Sequence, residues 1–240
     1  MLRNLNKVVS LTRKAIEEYD MLSENETVAV GVSGGKDSLV LLAALAELSR
    51  YHPKNFKVIG ISLDMGFGGD FEPIRRFAEG LGVEYYVKKT NFKEIIFDIR
   101  KESNPCSLCA KMRRGALNDM AIEHGSRKVA LGHHNDDVLE TFFLSLLYEG
   151  RVSCFAPVTY LDRTGITQIR PMIYVPERDI RGVVKHGGVP VAKSLCPADG
   201  ATKREQMKEI IKRLERETTP GLKKRLFHAI RAGGIEGWKL

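Results

Sequence analysis

Apolar side chains fall at Leu5, Val8, Val9, Leu11, Ala15 and Ile16 among basic and polar residues. That spacing predicts an amphipathic helix over residues 3–20 with one stripe on a core. The pattern then changes. TVAVGV (27–32), KVIGISL (57–63) and KVALGH (128–133) are short β-branched runs with glycine at or near the carboxyl end, and they predict strands. Between them lie SLVLLAALAELSR (38–50), FEPIRRFAEGLG (71–82) and DVLETFFLSLLYEG (137–150), which read as helices. VEYYVKK (83–89) is a further strand and ITQIRPMIYV (166–175) a late one, while ERDIRGVVKH, KREQMKEIIKRLERE and LKKRLFHAIRA read as helices.

Strand–helix alternation demands right-handed crossovers, so the expected fold is α/β. It is an open parallel sheet with helices on both faces and helical N- and C-terminal extensions. The expected organisation is an N-terminal helix over 1–24, a catalytic domain over 25–200 and basic helices over 201–240. A length of 240 residues with 43% hydrophobic composition suits one main core. No apolar run of about 18 residues occurs, and charges break the first stretch where a leader peptide needs an apolar centre. The expectation is no membrane association and a cytoplasmic location.

In a reducing cytosol the four cysteines are candidates for metal or redox chemistry, not disulfides. Only Cys106 and Cys109 lie close together. The net charge of +8 favours a polyanionic partner, since each cation placed on a phosphate releases counterions.

In an open parallel sheet, ligands bind beyond the carboxyl ends of strands. There stands Gly31-Val32-Ser33-Gly34-Gly35-Lys36-Asp37-Ser38, between a predicted strand and a predicted helix. Such a turn aims backbone N–H groups and the positive end of a helix at an anion. Gly34 and Gly35 admit phosphate close to the backbone, Ser33 and Ser38 offer hydroxyls, and Lys36 adds a mobile charge. It is not a Walker A loop: Val30 stands where the first glycine would be and Asp37 where Ser or Thr would hold magnesium. SGGKDS resembles the PP-loop of ATP pyrophosphatases, which cleave ATP between the α- and β-phosphates and adenylate a substrate. The resemblance implies a pyrophosphate cradle of Ser33, Gly34, Gly35, Asp37 and Ser38.

Asp64 ends the second strand, where an acid can reach a nucleotide or its magnesium. GHHNDDVLET (132–141) places Asp136, Asp137 and Glu140 in the first turns of a helix, where the helix dipole favours them. The segment resembles the GHHxDDxxET motif of tRNA-thiolating PP-loop enzymes, which implies an ATP and magnesium role for Asp137 and His133.

Asn104-Pro105 is a helix-start signal that puts Cys106 and Cys109 one turn apart in the first turns, with Arg113 on much the same face. A helix N-terminus and nearby cations favour thiolates, so both sulfurs are expected to be metal-competent. By itself C-x-x-C reads as half a zinc site, a redox dithiol or a pair of cluster ligands. No second C-x-x-C or His-x-x-x-His supplies zinc, and the polar FDIRKESNP stretch precedes the pair where a redox motif would follow a strand. CSLC with Arg113-Arg114-Gly115 resembles the signature of the tRNA 2-thiocytidine synthetase family (TtcA), continuously over about residues 25–230 and including RPMIYVPERDI (170–180). The resemblance implies a 4Fe-4S cluster on Cys106, Cys109 and Cys196, with one iron left open to carry sulfide. Cys154 has no counterpart in that pattern.

The resemblance further implies that C2 of a cytidine in the tRNA anticodon loop is adenylated and its oxygen replaced by sulfur. The implied catalytic set is Lys36, Asp37, Asp137 and Arg113, with ATP, magnesium and the cluster as cofactors. It also implies a sulfur donor, a cysteine desulfurase or sulfide, and allows a homodimer. Uridine-thiolating members typically carry lysine where Arg113 stands, which favours cytidine. Thiolation of a uridine or a small molecule by the same chemistry, or a nucleotide sensor without turnover, are the competing readings. Arg113, Arg114 and the Lys/Arg residues at 203, 204, 208, 212, 213 and 223–225 favour RNA over a small molecule.

Overall fold

The computed structural model describes residues 2–100, 105–193, 195–196 and 203–239. Eight α-helices and six strands alternate among them: α1 (Leu5–Glu18), β1 (Thr27–Gly31), α2 (Lys36–Ser49), β2 (Lys57–Asp64), α3 (Glu72–Leu81) and β3 (Glu84–Lys89) come first. After a π-helical turn at Glu94–Ile99 come α4 (Pro105–Glu123), β4 (Lys128–Ala130), α5 (Asn135–Tyr148), β5 (Val158–Leu161), β6 (Ile166–Ile169), α6 (Glu177–Gly187), α7 (Lys203–Glu217) and α8 (Leu222–Ala232). Among the described residues no helix is long and apolar enough to cross a membrane.

The sheet order is β3-β2-β1-β4-β6-β5. All neighbours run parallel except β5, which pairs antiparallel to β6 with Val158 opposite Ile169. Successive residues of β1 serve opposite faces, as the two-residue period of a strand requires. Val28 and Val30 join the larger core with α1, α2 and α6, whereas Ala29 joins Ile59, Ile61, Met120 and Val129 under α4. Helix α2 is buried almost all round, so its apolar positions run continuously.

Several expected boundaries move, two of them for a visible physical reason. The late strand stops at Ile169, because Arg170-Pro171 turns the chain and residues 171–174 form a turn. Its hydrogen-bonding edge is taken by β5, a strand with no clear alternation. Helix α5 begins at Asn135, two residues before the predicted start, because His134 caps it.

The chain reverses its direction of travel across the sheet between β1 and β4, the neighbours at the centre. A crevice opens at such a switch point, and two loops leave the strands there. A Cβ on Gly132 would lie 3.0 Å from the Ser38 nitrogen and 3.1 Å from the Asp37 carbonyl carbon. The two loops therefore touch backbone to backbone, and only glycine fits. Gly132→Ala should cost about 1–3 kcal/mol of unfolding free energy, as overpacking against an immovable backbone does. Urea denaturation checks this; a native midpoint would show that the loops are not packed this closely.

Candidate active site

The phosphate loop is braced by its own serines. Ser38 Oγ accepts the Ser33 N–H at 3.1 Å and donates to the Gly35 carbonyl at 3.0 Å, while Ser33 Oγ accepts the Gly35 N–H at 3.3 Å. Gly34 sits in the left-handed region at φ 81°, which a side chain would strain. The Ser38 hydroxyl is thus engaged in holding the loop. Lys36 is held by two carboxylates. Its ammonium lies 2.9 Å from Asp37 Oδ2 and 3.1 Å from Glu177 Oε1. Burial works against its charge, but Asp37 and Glu177 outweigh it and raise the Lys36 pKa.

The second loop reaches the first through His134, the residue after the histidine singled out by the motif. His134 Nδ1 accepts the Asp137 N–H while Asp137 Oδ2 accepts the His134 N–H at 2.9 Å, a reciprocal cap at the start of α5. His134 Nε2 lies 3.5 Å from Asp37 Oδ1, a buried oxygen with no hydrogen-bond partner. The cap pattern of a polar residue with an acid three positions on was present in the sequence, but histidine is not among the usual capping residues. His133 instead packs its ring 4.9 Å from Phe155 and leaves Nδ1 buried without a partner. Burial, reinforced by Arg170, pushes its pKa down to about 4, so this imidazole is neutral at physiological pH. Asp64 ends β2 beside the phosphate loop, since Ile61 is level with Gly31, and its Oδ1 accepts the Gly66 N–H at 2.9 Å.

Four carboxylates from α5 and α6 are matched by cations from the C-terminal helices. Arg204 lies 3.2 Å from Asp137 and 3.8 Å from Glu140, Lys208 is 3.0 Å from Glu177, and Lys223 is 2.7 Å from Asp136. These three cations are thus paired with carboxylates of the protein. Lys224 and Arg225 remain exposed. Burial raises the Asp136 and Glu177 carboxyls, but their partners outweigh it: Asp136 is lowered, and Lys208, Arg181 and Lys36 bring Glu177 to about 2. For Glu140 burial and the nearby Asp137 win, and its pKa rises to about 7.

Cys106 and Cys109 stand in the first two turns of α4, which begins at Pro105; Asn104, the expected cap, lies outside the described residues. Arg113 favours the charged form of the Cys109 thiol, whereas Cys106 and Cys196 disfavour it. Burial nevertheless dominates and pushes the Cys109 thiol up. The third cysteine approaches along the segment after α6, where the Ala192 N–H donates to the Gly34 carbonyl at 3.0 Å. A Cβ on Gly69 would lie 3.9 Å from Leu195 Cδ1, so this segment runs over the phosphate loop and the turn after β2. Cys154 is separate: its thiol donates to the Val138 carbonyl at 3.4 Å, and burial drives its pKa up to about 12. Among the described residues no three His, Cys, Asp or Glu side chains converge on one point as a single-ion site would have them. A cubane offers separate iron corners, so thiolates arriving from a helix and from a loop fit it.

Glu140 gives a pH test. A carboxyl raised to about 7 binds its proton more tightly in the folded chain than in the unfolded one, so it subtracts stability as pH rises from about 4.3 to about 7. Glu140→Gln should match the native stability near pH 4 and exceed it by about 1–3 kcal/mol near pH 8. Denaturant melts at both pH values measure this, and a variant less stable at the higher pH would refute the raised pKa.

The whole arrangement has close counterparts. Residues 5–214 match the PP-loop domain family ATP_bind_3. The tRNA-cytidine(32) 2-sulfurtransferase of Citrifermentans bemidjiense is 38% identical over 221 residues, covering 90% of this chain and 86% of that protein. The enzyme of the same name from Geobacter metallireducens is 35% identical over 95% of this chain and 90% of its own length. Among solved structures, the U34-tRNA thiolase NcsA from Methanococcus maripaludis with its [4Fe-4S] cluster superposes with a TM-score of 0.77 at 29% identity, over 98% of this chain and 80% of that one. The chain belongs to the PP-loop family, within the branch of tRNA-cytidine(32) 2-sulfurtransferases.

Proposed function

We propose that this protein is a tRNA-cytidine 2-sulfurtransferase: it converts ATP to AMP and pyrophosphate to activate C2 of a cytidine in the anticodon loop, and replaces the C2 oxygen with sulfur. Position 32 is the target named for its relatives at 35–38% identity. The observation that carries the reading is the bond from Ala192 to Gly34, which brings the segment bearing Cys196 onto the phosphate loop. Base activation and sulfur delivery then take place side by side.

The cytidine O2 attacks the α-phosphate and the bond to the β-phosphate breaks, so pyrophosphate leaves into the loop of Ser33, Gly34, Gly35, Asp37 and Ser38. Backbone N–H groups at the start of α2 and the ammonium of Lys36 oppose the charge that grows on the leaving group. Asp137 and Asp64 are the carboxylates for magnesium, and neutral His133 is the imidazole for the nucleotide. Cys106, Cys109 and Cys196 are the ligands of the cluster, which when bound supplies the sulfur for C2. Arg113, whose charge acts on Cys109, orients the adenylated base beside the thiols. AMP then departs with the original oxygen. The sulfur reaches the site from a cysteine desulfurase or from sulfide, and the setting is the cytoplasm. A dimer is compatible with this arrangement.

The expected outcome with unmodified tRNA, ATP, magnesium, sulfide and anaerobically purified protein is AMP, pyrophosphate and, after nuclease digestion, 2-thiocytidine. Protein in that state should hold about four irons. Alanine at Cys106, Cys109 or Cys196 should abolish both iron and product, whereas Cys154→Ala should keep both. Asp37→Ala should keep the iron and lower AMP formation by about 100-fold. Appearance of 2-thiouridine instead would move the substrate to a uridine, zinc in place of iron would remove the cluster, and ADP as product would remove the loop assignment.

A further inference from the structure

Glu177 lies in the RPMIYVPERDI stretch, to which the motif reading gives no role, yet it carries more cations than any other carboxylate among the described residues. It is 8% exposed, and its carboxylate meets Lys36 at 3.1 Å, Arg181 at 2.9 Å and Lys208 at 3.0 Å. Its backbone N–H is fixed as well, donating to Asp136 Oδ2 at 2.8 Å. Burying a carboxylate is costly, and an apolar side chain would generally pack at that position more cheaply. Fold stability alone therefore gives a weak reason for it.

The geometry at Lys36 gives a stronger one. A lysine ammonium on a flexible four-carbon stem is poorly placed unless something holds it. Asp37 holds it on one side at 2.9 Å and Glu177 on the other. Because Arg181 and Lys208 share the same carboxylate, Glu177 fixes Lys36 without neutralising the neighbourhood. Lys36, Arg181 and Lys208 against Asp37 and Glu177 leave one net positive charge facing an incoming anion. We propose that Glu177 is the positioning residue for Lys36, setting its ammonium where negative charge develops on the departing pyrophosphate. This rests on the reading of Lys36 as the phosphate-loop cation. A positioned charge acts mainly in the transition state, so its loss should fall on turnover more than on ground-state binding.

The test is a double-mutant cycle on cluster-loaded protein with tRNA, measuring AMP formation at saturating ATP and pyrophosphate binding by calorimetry. E177Q should slow AMP formation by about tenfold or more, while pyrophosphate affinity stays within roughly threefold of native and the cluster absorbance is unchanged. E177D, which keeps the charge on a shorter stem, should lose less. In a K36M background E177Q should add less than about a twofold loss, because its effect passes through the missing ammonium. E177Q turning over at the native rate, or costing the same factor with and without Lys36, would overturn the proposal. If E177Q does not fold, E177D carries the cycle: its smaller loss in AMP formation should disappear in the K36M background, and an equal factor with and without Lys36 would overturn the proposal. K36M at the native rate would overturn the phosphate-loop reading and this proposal together, whereas a slow K36M beside a native-like E177Q sinks only the role of Glu177.

Discussion

Two loops must meet backbone to backbone at the centre of the sheet, and the rest of the site depends on that contact. With Gly132 against Asp37 and Ser38, α5 starts close enough for His134 to reach Asp37 with one ring nitrogen and cap its own helix with the other. A larger residue would separate the strand ends and leave the Asp37 and Asp137 carboxylates without their common neighbour. The same phosphate loop offers the Gly34 carbonyl outward, and the segment leading to Cys196 docks there. The phosphate loop and the segment bearing Cys196 thus share a single backbone turn.

Crowding acids at the helix starts of α5 and α6 makes a charge problem that the C-terminal helices solve. Both helices pack on α5, and from them Arg204, Lys208 and Lys223 enter the carboxylate cluster. Buried ions are tolerated only when paired, so α7 and α8 complete the electrostatics of the site as well as covering the core. Glu140 shows the limit of this arrangement. Its partner at 3.8 Å is shared with Asp137, and its pKa rises accordingly.

Most of the sheet was legible because parallel strands buried on both faces read as compact β-branched runs, and the glycine-rich turns at their ends are unambiguous punctuation. β5 was not legible: its four residues, VTYL, sit half-exposed at the sheet edge and owe their conformation to pairing with β6. Local pattern carries no record of such a partner. Within the site, the phosphate loop and the Cys106–Cys109 pair could be read from spacing, whereas the approach of Cys196 depends on a bond made across the fold. Counting basic residues did not reveal that Arg204, Lys208 and Lys223 pair with carboxylates of the protein, since charge composition does not say which charges meet.

The central claim is that the phosphate loop activates the base oxygen itself, so that this oxygen leaves with the nucleotide. tRNA carrying 18O at C2 of the target cytidine, incubated with ATP and cluster-loaded protein, follows that atom directly by mass spectrometry. The expected result is one 18O in AMP for each thionucleoside formed, with none in pyrophosphate. Label appearing in water or in pyrophosphate, with unlabelled AMP, would contradict it.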